Sequence, residues 1–361
     1  MNILHLVDEP YDSGIVHYAL TLASAQQAAG HRIHVGGRKG FYPLEGAARR
    51  GLDTLALSRL PGCLPCLRSY VAKRAITLIH AHSGSAHTLA VVAARMLRNA
   101  PPVVRSHAGS PPIRKNPGAG WLWRRTAGFI GASRKILDQF QASFPKLAIA
   151  TRMVPLGIPD PYAKRDPAPE PPLQEPLRVG IVARLDPVKG HLFFLRAAAR
   201  VAWEAPDTVF TVAGREENVK LPDLRSAVAG LGLSKSVEFL GHVPDALEIM
   251  QLCHIGVVAS TDSEALSRVA LEWMASARPL VATAVGNLPE VVIEGRTGLL
   301  APPKDERALA KRLLELSKSR DRRREMGRDA RRVFLSRFTP ERMFLETEKF
   351  YEEAIHPVPS R

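Results

Sequence analysis

Short apolar runs alternate with longer alanine-rich stretches through the first part of the chain. The runs are Ile3 to Val7, Ile33 to Val35, Ile76 to Ile79, Val103 with Val104, and Phe129 with Ile130, and Val16 to Ala29, closed by Gly30, is typical of the stretches between them. The runs read as strands, and strand and helix in turn predict a parallel sheet. The pattern then repeats: Val179 to Val182, Val209 to Val212, Val237 to Phe239, Ile255 to Val258 and Leu280 to Thr283 read as strands, each followed by a turn and a helical stretch. Between the two series, Pro159, Pro161, Pro167, Pro169, Pro171, Pro172 and Pro176 crowd a segment with almost no apolar residue, a composition expected to stay extended outside any core.

These patterns predict an α/β protein of two doubly wound, Rossmann-like domains. We expect the first over 1–160, a proline-rich linker over 161–176, the second over 177–338, and a C-terminal helix and tail over 339–361 that packs back on the first domain. In such sheets ligands sit beyond the carboxyl ends of the strands, so two linked domains are expected to present those ends to a central cleft. The residues just after each strand are where chemistry is to be sought.

Composition narrows the class. With 361 residues, 45% hydrophobic and 24% charged, the chain is neither disordered nor too short for two cores. Its longest apolar runs, such as Leu89 to Ala94, fall far short of the ~20 residues of a membrane span, and Asp8 and Glu9 stand where a leader would be basic, so neither anchor nor export signal is expected. Three cysteines, Cys63, Cys66 and Cys253, exclude a disulfide framework and suggest a reducing, cytoplasmic setting. The net charge of +15 is uneven: residues 1–170 hold 22 Lys and Arg against 9 Asp and Glu, whereas residues 171–361 hold 28 against 26. The first domain is therefore expected to face an anionic partner, an acidic glycan, the anionic inner face of the cytoplasmic membrane, or both, since charge alone attracts phosphates of any kind. Arg49, Arg50, Lys73, Arg74, Arg114, Lys115, Arg124 and Arg125 are the candidate contacts, and Trp121, Leu122 and Trp123 a candidate interfacial anchor.

Two constellations carry candidate chemistry. After the strand ending at Val258 come Ser260, Asp262, Glu264, Ala265, Leu266, Ser267 and Glu272; a helix beginning near Leu266 would offer free N–H groups and its positive dipole end to a diphosphate. Glu264 then stands in front of that seat and Glu272 lies ~9 Å along the axis at ~1.5 Å per residue, so that each carboxylate can accept from the paired hydroxyls of a sugar or ribose. Spacing alone equally allows Glu264 to be a helix-terminal charge and Glu272 a surface acid. After the strand ending at Val182, Arg184 and Lys189 sit on a turn shaped by Pro187 and Gly190, where two cations can clamp a pyrophosphate in place of a metal.

At these residues the chain resembles the retaining nucleotide-sugar glycosyltransferases of family four, which have the GT-B fold. Val182 to His191 is similar to that family's R-L-D-x-x-K-G-x signature, and Glu264 to Glu272 to its Glu, seven residues, Glu motif; Ala282 to Val292 and Gly295 to Leu300 resemble the loops that follow. The resemblance implies that Arg184 and Lys189 bind the donor diphosphate, Glu264 the donor-sugar hydroxyls and Glu272 the ribose. Ala265, Leu266 and Ser267 complete the implied donor seat, with Ala265 where glycine is common. In the first domain, Asp12 to His17 resembles the family's first loop, with Ser13-Gly14 for a Gly-Gly pair, so Gly14 is expected near the donor. Val154 to Asp160 resembles the closing turn, with Leu156 for the usual Asn, and His107 stands at the strand end expected near the reacting sugar.

The implied activity is metal-independent retaining transfer, with no cofactor beyond a nucleotide diphosphate sugar as co-substrate, to a glycan or lipid-linked acceptor in cell-envelope polysaccharide or lipopolysaccharide synthesis. Nucleotide-sugar epimerases and phosphorylases on the same architecture are the rival enzymes. A basic nucleic-acid-binding protein is the rival of another class, disfavoured by 6% aromatic residues without basic interleaving. Cys63 and Cys66 have ligand spacing but no second pair. His80, His82 and His87 can hold a metal but read better as a polar cleft lining, and the arginine-rich tail from Arg320 to Arg332 reads as a solvated helix face.

Overall fold

A computed structural model of the chain describes residues 1–58, 62–109, 113, 117–164, 170, 176–262 and 264–355. The described residues form two compact units, Met1–Ile158 with Phe338–Arg361, and Pro159–Arg337.

The first unit is built on seven parallel strands, β1 (Asn2–Leu6), β2 (Arg32–Arg38), β3 (Asp53–Leu57), β4 (Leu78–Ala81), β5 (Val103–His107), β6 (Gly128–Gly131) and β7 (Ala150–Met153), in the order β3-β2-β1-β4-β5-β6-β7. Ile3 pairs with Ile33 on one side and Leu78 on the other. Helices cover both faces of the sheet, which is why β1, β4, β5 and β6 are buried almost throughout. The edge strands β3 and β7 are half exposed, and the polar residues that this permits hide them from a search for apolar runs.

The last helix, Pro340–Ile355, belongs to this unit. It packs on the helix Gly14–Ala28 and on β7. Arg152 of β7 reaches Glu346 at 3.3 Å and Glu353 at 2.6 Å. Gly128 permits the approach, since a Cβ there would stand 2.4 Å from the Phe350 ring. The return of the chain is pinned where the Ile158 N–H donates to the Phe338 carbonyl at 2.9 Å.

The second unit holds six parallel strands, β8 (Arg178–Val182), β9 (Val209–Ala213), β10 (Val237–Gly241), β11 (Ile255–Val258), β12 (Leu280–Thr283) and β13 (Gly298–Ala301), in the order β10-β9-β8-β11-β12-β13. Its main core joins Val179, Ile181, Phe194, Phe210, Ile255 and Val281. On the other face Trp273 lies against Gly256, where a Cβ would stand 2.4 Å from the indole.

Three expectations fail on packing. Tyr162, expected in an extended linker, is buried and its hydroxyl lies 3.0 Å from Ser276 Oγ; most of the remaining proline-rich segment, 165–169 and 171–175, lies outside the described residues. The arginine-rich helix is not a uniformly solvated face: Arg323 is buried and donates to the Leu316 and Ser317 carbonyls, and Arg331 pairs with Asp160 at 2.5 and 2.7 Å. Trp123 is core, with ring centroids 4.6 Å from His87 and 4.7 Å from Phe140, so the proposed anchor reduces to Trp121, which Arg125 covers at 4.5 Å. Arg114 and Lys115 lie outside the described residues, while Arg49, Arg50, Lys73, Arg74, Arg124 and Arg125 are exposed. Among the described residues no helix is long and apolar enough to cross a membrane.

Candidate active site

In the second unit β8 and β11 are neighbours, and the strand order runs outward from them in both directions. In sheets of this order ligands bind beyond the carboxyl ends of the two strands that flank the reversal. The loop after β8 is held tightly: the Leu185 N–H donates to the Arg215 carbonyl at 2.8 Å, and Asp186 caps the single 3₁₀ turn Pro187–Lys189 by accepting from the Val188 N–H at 3.0 Å. Asn218 and that N–H hold the Asp186 carboxyl below its usual range. Gly190 follows with φ +71°, and a Cβ there would stand 2.0 Å from the Ala259 carbonyl oxygen. The glycine lets the β8 and β11 loops touch, and the Thr261 N–H donates to the Val188 carbonyl at 2.9 Å.

This contact brings together residues 75 positions apart. Lys189 Nζ lies 2.8 Å from Glu264 Oε2, and the Ser260 hydroxyl donates to the same oxygen at 2.6 Å. Only 4% of the Glu264 side chain is exposed, against 21% for Lys189. The pair thus has a shielded carboxylate and a cation still open to a ligand. A third strand end completes the support. The Thr283 hydroxyl donates to the Ser260 carbonyl at 2.6 Å, and the Asn287 N–H to the Glu264 carbonyl at 2.9 Å. Gly286, at φ +60°, passes so close that a Cβ would stand 1.9 Å from that carbonyl oxygen.

The other expected donor residues take different positions. Arg184 is half exposed and pairs with Glu217 at 3.3 Å, so it does not join Lys189 on the glutamate. The helix after β11 begins at Arg268, two residues later than expected, the Ser267 carbonyl accepting its first bond from the Leu271 N–H at 3.4 Å. Ser267 therefore stands at the N-cap without a side-chain cap bond, its hydroxyl buried and unpartnered among the described residues; Ala265 and Leu266 are half buried before it. Glu272 falls one turn into the helix, ~6 Å at ~1.5 Å per residue, rather than two. Burial raises its carboxyl above the usual range against the pull of Arg268, whose Nε lies 2.8 Å away.

In the first unit the reversal falls between β1 and β4. Gly14 is the first residue of the helix after β1, whose N-cap Ser13 accepts from the Val16 N–H. His107 ends β5, its Nδ1 3.5 Å from Arg105 Nη2, and lines a cavity of about 430 Å³ with Glu9, Ile15, His87, Arg105 and Trp123. Burial pulls Arg105 down to about 9 and raises Glu9. His87 reaches this cavity and contacts Thr126 Oγ1 at 2.7 Å, but His80 and His82 are fully buried beneath the strand ends and line no cleft. Cys63 is buried and Cys66 exposed on the helix Leu64–Lys73. Glu9 and Arg105 are site residues that the sequence did not single out, and no local signal marked them. Ser260, within the candidate stretch, and Gly286 and Asn287, within the loop Ala282 to Val292, were named without a role.

Two family profiles match the chain: Glycosyltransferase Family 4 over residues 13–160 and Glycosyl transferases group 1 over residues 176–319. The chain belongs to the family 4 glycosyltransferases. A D-inositol 3-phosphate glycosyltransferase of Corynebacterium urealyticum is 33% identical over 41% of this chain and 37% of its own. A glycogen synthase of Mycobacterium tuberculosis is 32% identical over 53% of this chain and 45% of its own. The matches thus span less than half the length of these relatives. In fold, the chain is similar to Anabaena HepE in complex with UDP, with a TM-score of 0.82 at 19% identity over 98% of this chain and 100% of that one; HepE has also been solved with UDP-glucose. Both sheets match the GT-B architecture.

The close passage of Gly286 yields a prediction for this family member. Gly286→Ala places a Cβ against the Glu264 carbonyl at positive φ, a strain of ~1–3 kcal/mol before the clash is counted. Urea unfolding should show at least that loss, whereas stability within ~0.5 kcal/mol of wild type, the range of a neutral surface change, would mean the loop is not held as described.

Proposed function

We propose that the protein transfers a sugar from a nucleotide diphosphate sugar to a hydroxyl of a glycan or lipid-linked acceptor, with retention at the anomeric carbon and without a metal ion. The observation that carries this reading is the Lys189–Glu264 pair at 2.8 Å, at the strand-order reversal of the second unit and at the positions of the family motifs. The binding of UDP and UDP-glucose by HepE supports a nucleotide-sugar donor.

Bond cleavage leaves charge on the departing diphosphate and an oxocarbenium-like centre on the sugar. Lys189 meets the former as a fixed cation at the crevice, with Arg184 on the same loop and the helix end at Ser267 as further positive ends. Glu264 accepts from the sugar hydroxyls, its carboxylate already aimed by Ser260 and Lys189. Glu272 is placed one turn along for the ribose. These cations supply the positive field that a divalent ion supplies elsewhere, so the donor needs none. In the first unit, the cavity lined by His107 is read as the acceptor's seat, and His107 as the residue nearest the reacting sugar.

A transfer assay with a panel of nucleotide sugars tests the reading. Glu264→Gln and Lys189→Ala, each folded by circular dichroism, should lose a hundredfold or more in kcat/KM, the scale of one transition-state contact at ~3–4 kcal/mol. Wild-type rates in either remove that residue from the site. The same assay in EDTA should keep its rate; loss restored by magnesium or manganese would contradict metal-free transfer.

The exposed cations of the first unit support an anionic partner, with cell-envelope glycans assembled at the inner leaflet as the setting. Each basic residue near an anionic surface contributes ~1 kcal/mol, enough for reversible docking by a few together. Co-sedimentation at low salt should retain the protein on anionic vesicles and not on neutral ones; equal partition to both would reject docking by charge.

A further inference from the structure

From the first unit's interior we infer a site for one imidazole-preferring transition-metal ion, formed by His5 on β1 and by His80 and His82 at the end of β4, separate from the donor residues. One ligand atom from each ring lies within 4.8 Å of the others, and the three side chains are 0%, 0% and 1% exposed.

The rings are oriented from outside, as metal-ligating histidines are by oxygen partners on their second nitrogen. His5 Nε2 lies 2.8 Å from Gln26 Oε1, His80 Nδ1 2.6 Å from Tyr351 Oη, and His82 Nδ1 2.8 Å from Ser106 Oγ. The Gln26 amide is itself aimed, because its Nε2 donates to Glu348 Oε1 at 3.2 Å, and the Glu348 carboxylate can only accept. His5 must therefore carry its proton on Nε2 and turn a lone pair inward from Nδ1. His82 Nε2 meets that lone pair at 2.9 Å, and His80 Nε2 is buried with no hydrogen-bond partner. The inner nitrogens are thus one hydrogen-bonded couple and one orphan.

A metal ion resolves the orphan without moving charge onto the rings. Ser106 Oγ and Tyr351 Oη can each accept an N–H, the latter on its second lone pair beside the Gln26 Nε2 donor 3.4 Å away, so all three imidazoles can hold their protons on the outer nitrogens and offer inner lone pairs together; no proton is released. Burial already keeps the rings neutral, pulling His5 down to about 4 and His80 and His82 well below the usual histidine range. The rings of His80 and His82 stack with centroids 4.2 Å apart, and the free Nε2 of His80 leaves that ring able to turn towards the ion. Three neutral imidazoles suit zinc or copper rather than magnesium or calcium. The ligand set has no carboxylate, and the positive field of Arg105 reaches His80 and His82, a setting that penalises a divalent ion more than copper(I).

The test uses the full chain without a polyhistidine tag. Zinc(II), and copper(I) under anaerobic reduction, are titrated in competition with chromogenic chelators, and bound metal is counted by mass spectrometry. One equivalent of either ion per chain is expected, with magnesium failing to compete. His80→Phe keeps the ring packing and removes one ligand, so it should abolish stoichiometric binding. Tyr351→Phe keeps all three ligands but removes an outer oxygen, and should weaken binding ~10–100-fold. Less than a tenth of an equivalent of both ions on the wild type would overturn the site, as would unchanged affinity in a folded His80→Phe protein. If that variant does not fold, wild-type stoichiometry and Tyr351→Phe decide the matter.

Discussion

The ion pair between Lys189 and Glu264 is the interaction on which the candidate donor site depends. A carboxylate this shielded is costly unless it is paired and hydrogen-bonded, and removing one member of such a pair typically costs ~3–5 kcal/mol. Three strand ends share its support: β8 sends Lys189, β11 sends Ser260 and Glu264, and the loop after β12 fixes the Glu264 backbone through Asn287. The carboxylate is thus aimed before any ligand arrives. Preorganisation of this kind, rather than the number of charges, makes a polar site effective in a transition state.

Glycine makes the convergence possible. Gly190 and Gly286 both lie at positive φ with a neighbouring carbonyl oxygen where a Cβ would be, and at Gly214 a Cβ would likewise stand 1.7 Å from the Ala183 carbonyl oxygen. Each lies in a loop at the carboxyl ends of β8, β9 or β12, where backbone segments approach more closely than side chains allow. The same sheet order recurs in the first unit, with a different outcome at its reversal. There the strand ends carry Glu9, His107 and Arg105 around a cavity, and beneath them three histidines occupy positions that an apolar core would ordinarily fill.

Central strands buried on both faces were legible because burial demands an unbroken apolar run, as in Ile255 to Val258, whereas the short buried edge strand β13 was not read as a strand. Edge strands β3 and β7 were not, because one exposed face admits Asp53, Thr54 and Arg152. Motif spacing marked Lys189 and Glu264 as chemically able, but no local pattern carries the information that residues 75 positions apart meet at 2.8 Å. Helix onset lies two residues later than expected, at Arg268, and no residue in the local pattern marks that position. Trp123 and Arg323 show the same limit: an aromatic beside two arginines and an arginine in a charged run both read as surface, yet one packs against Phe140 and the other satisfies helix-end carbonyls. His80 and His82 read as cleft lining, since the strand end was visible in the sequence and the depth was not, and His5 was not read as their partner at all.

The central claim, that the crevice at Lys189 and Glu264 seats a nucleoside diphosphate, is tested most directly by binding rather than turnover. Thermal unfolding of the wild type and of Lys189→Ala would be followed with UDP, GDP, ADP and their sugar conjugates. One nucleotide series should stabilise the wild type, by ~2.7 kcal/mol when present at about 100 times its Kd, and that gain should largely vanish in Lys189→Ala. Absence of stabilisation by every nucleotide, or an equal gain in the variant, would contradict the account.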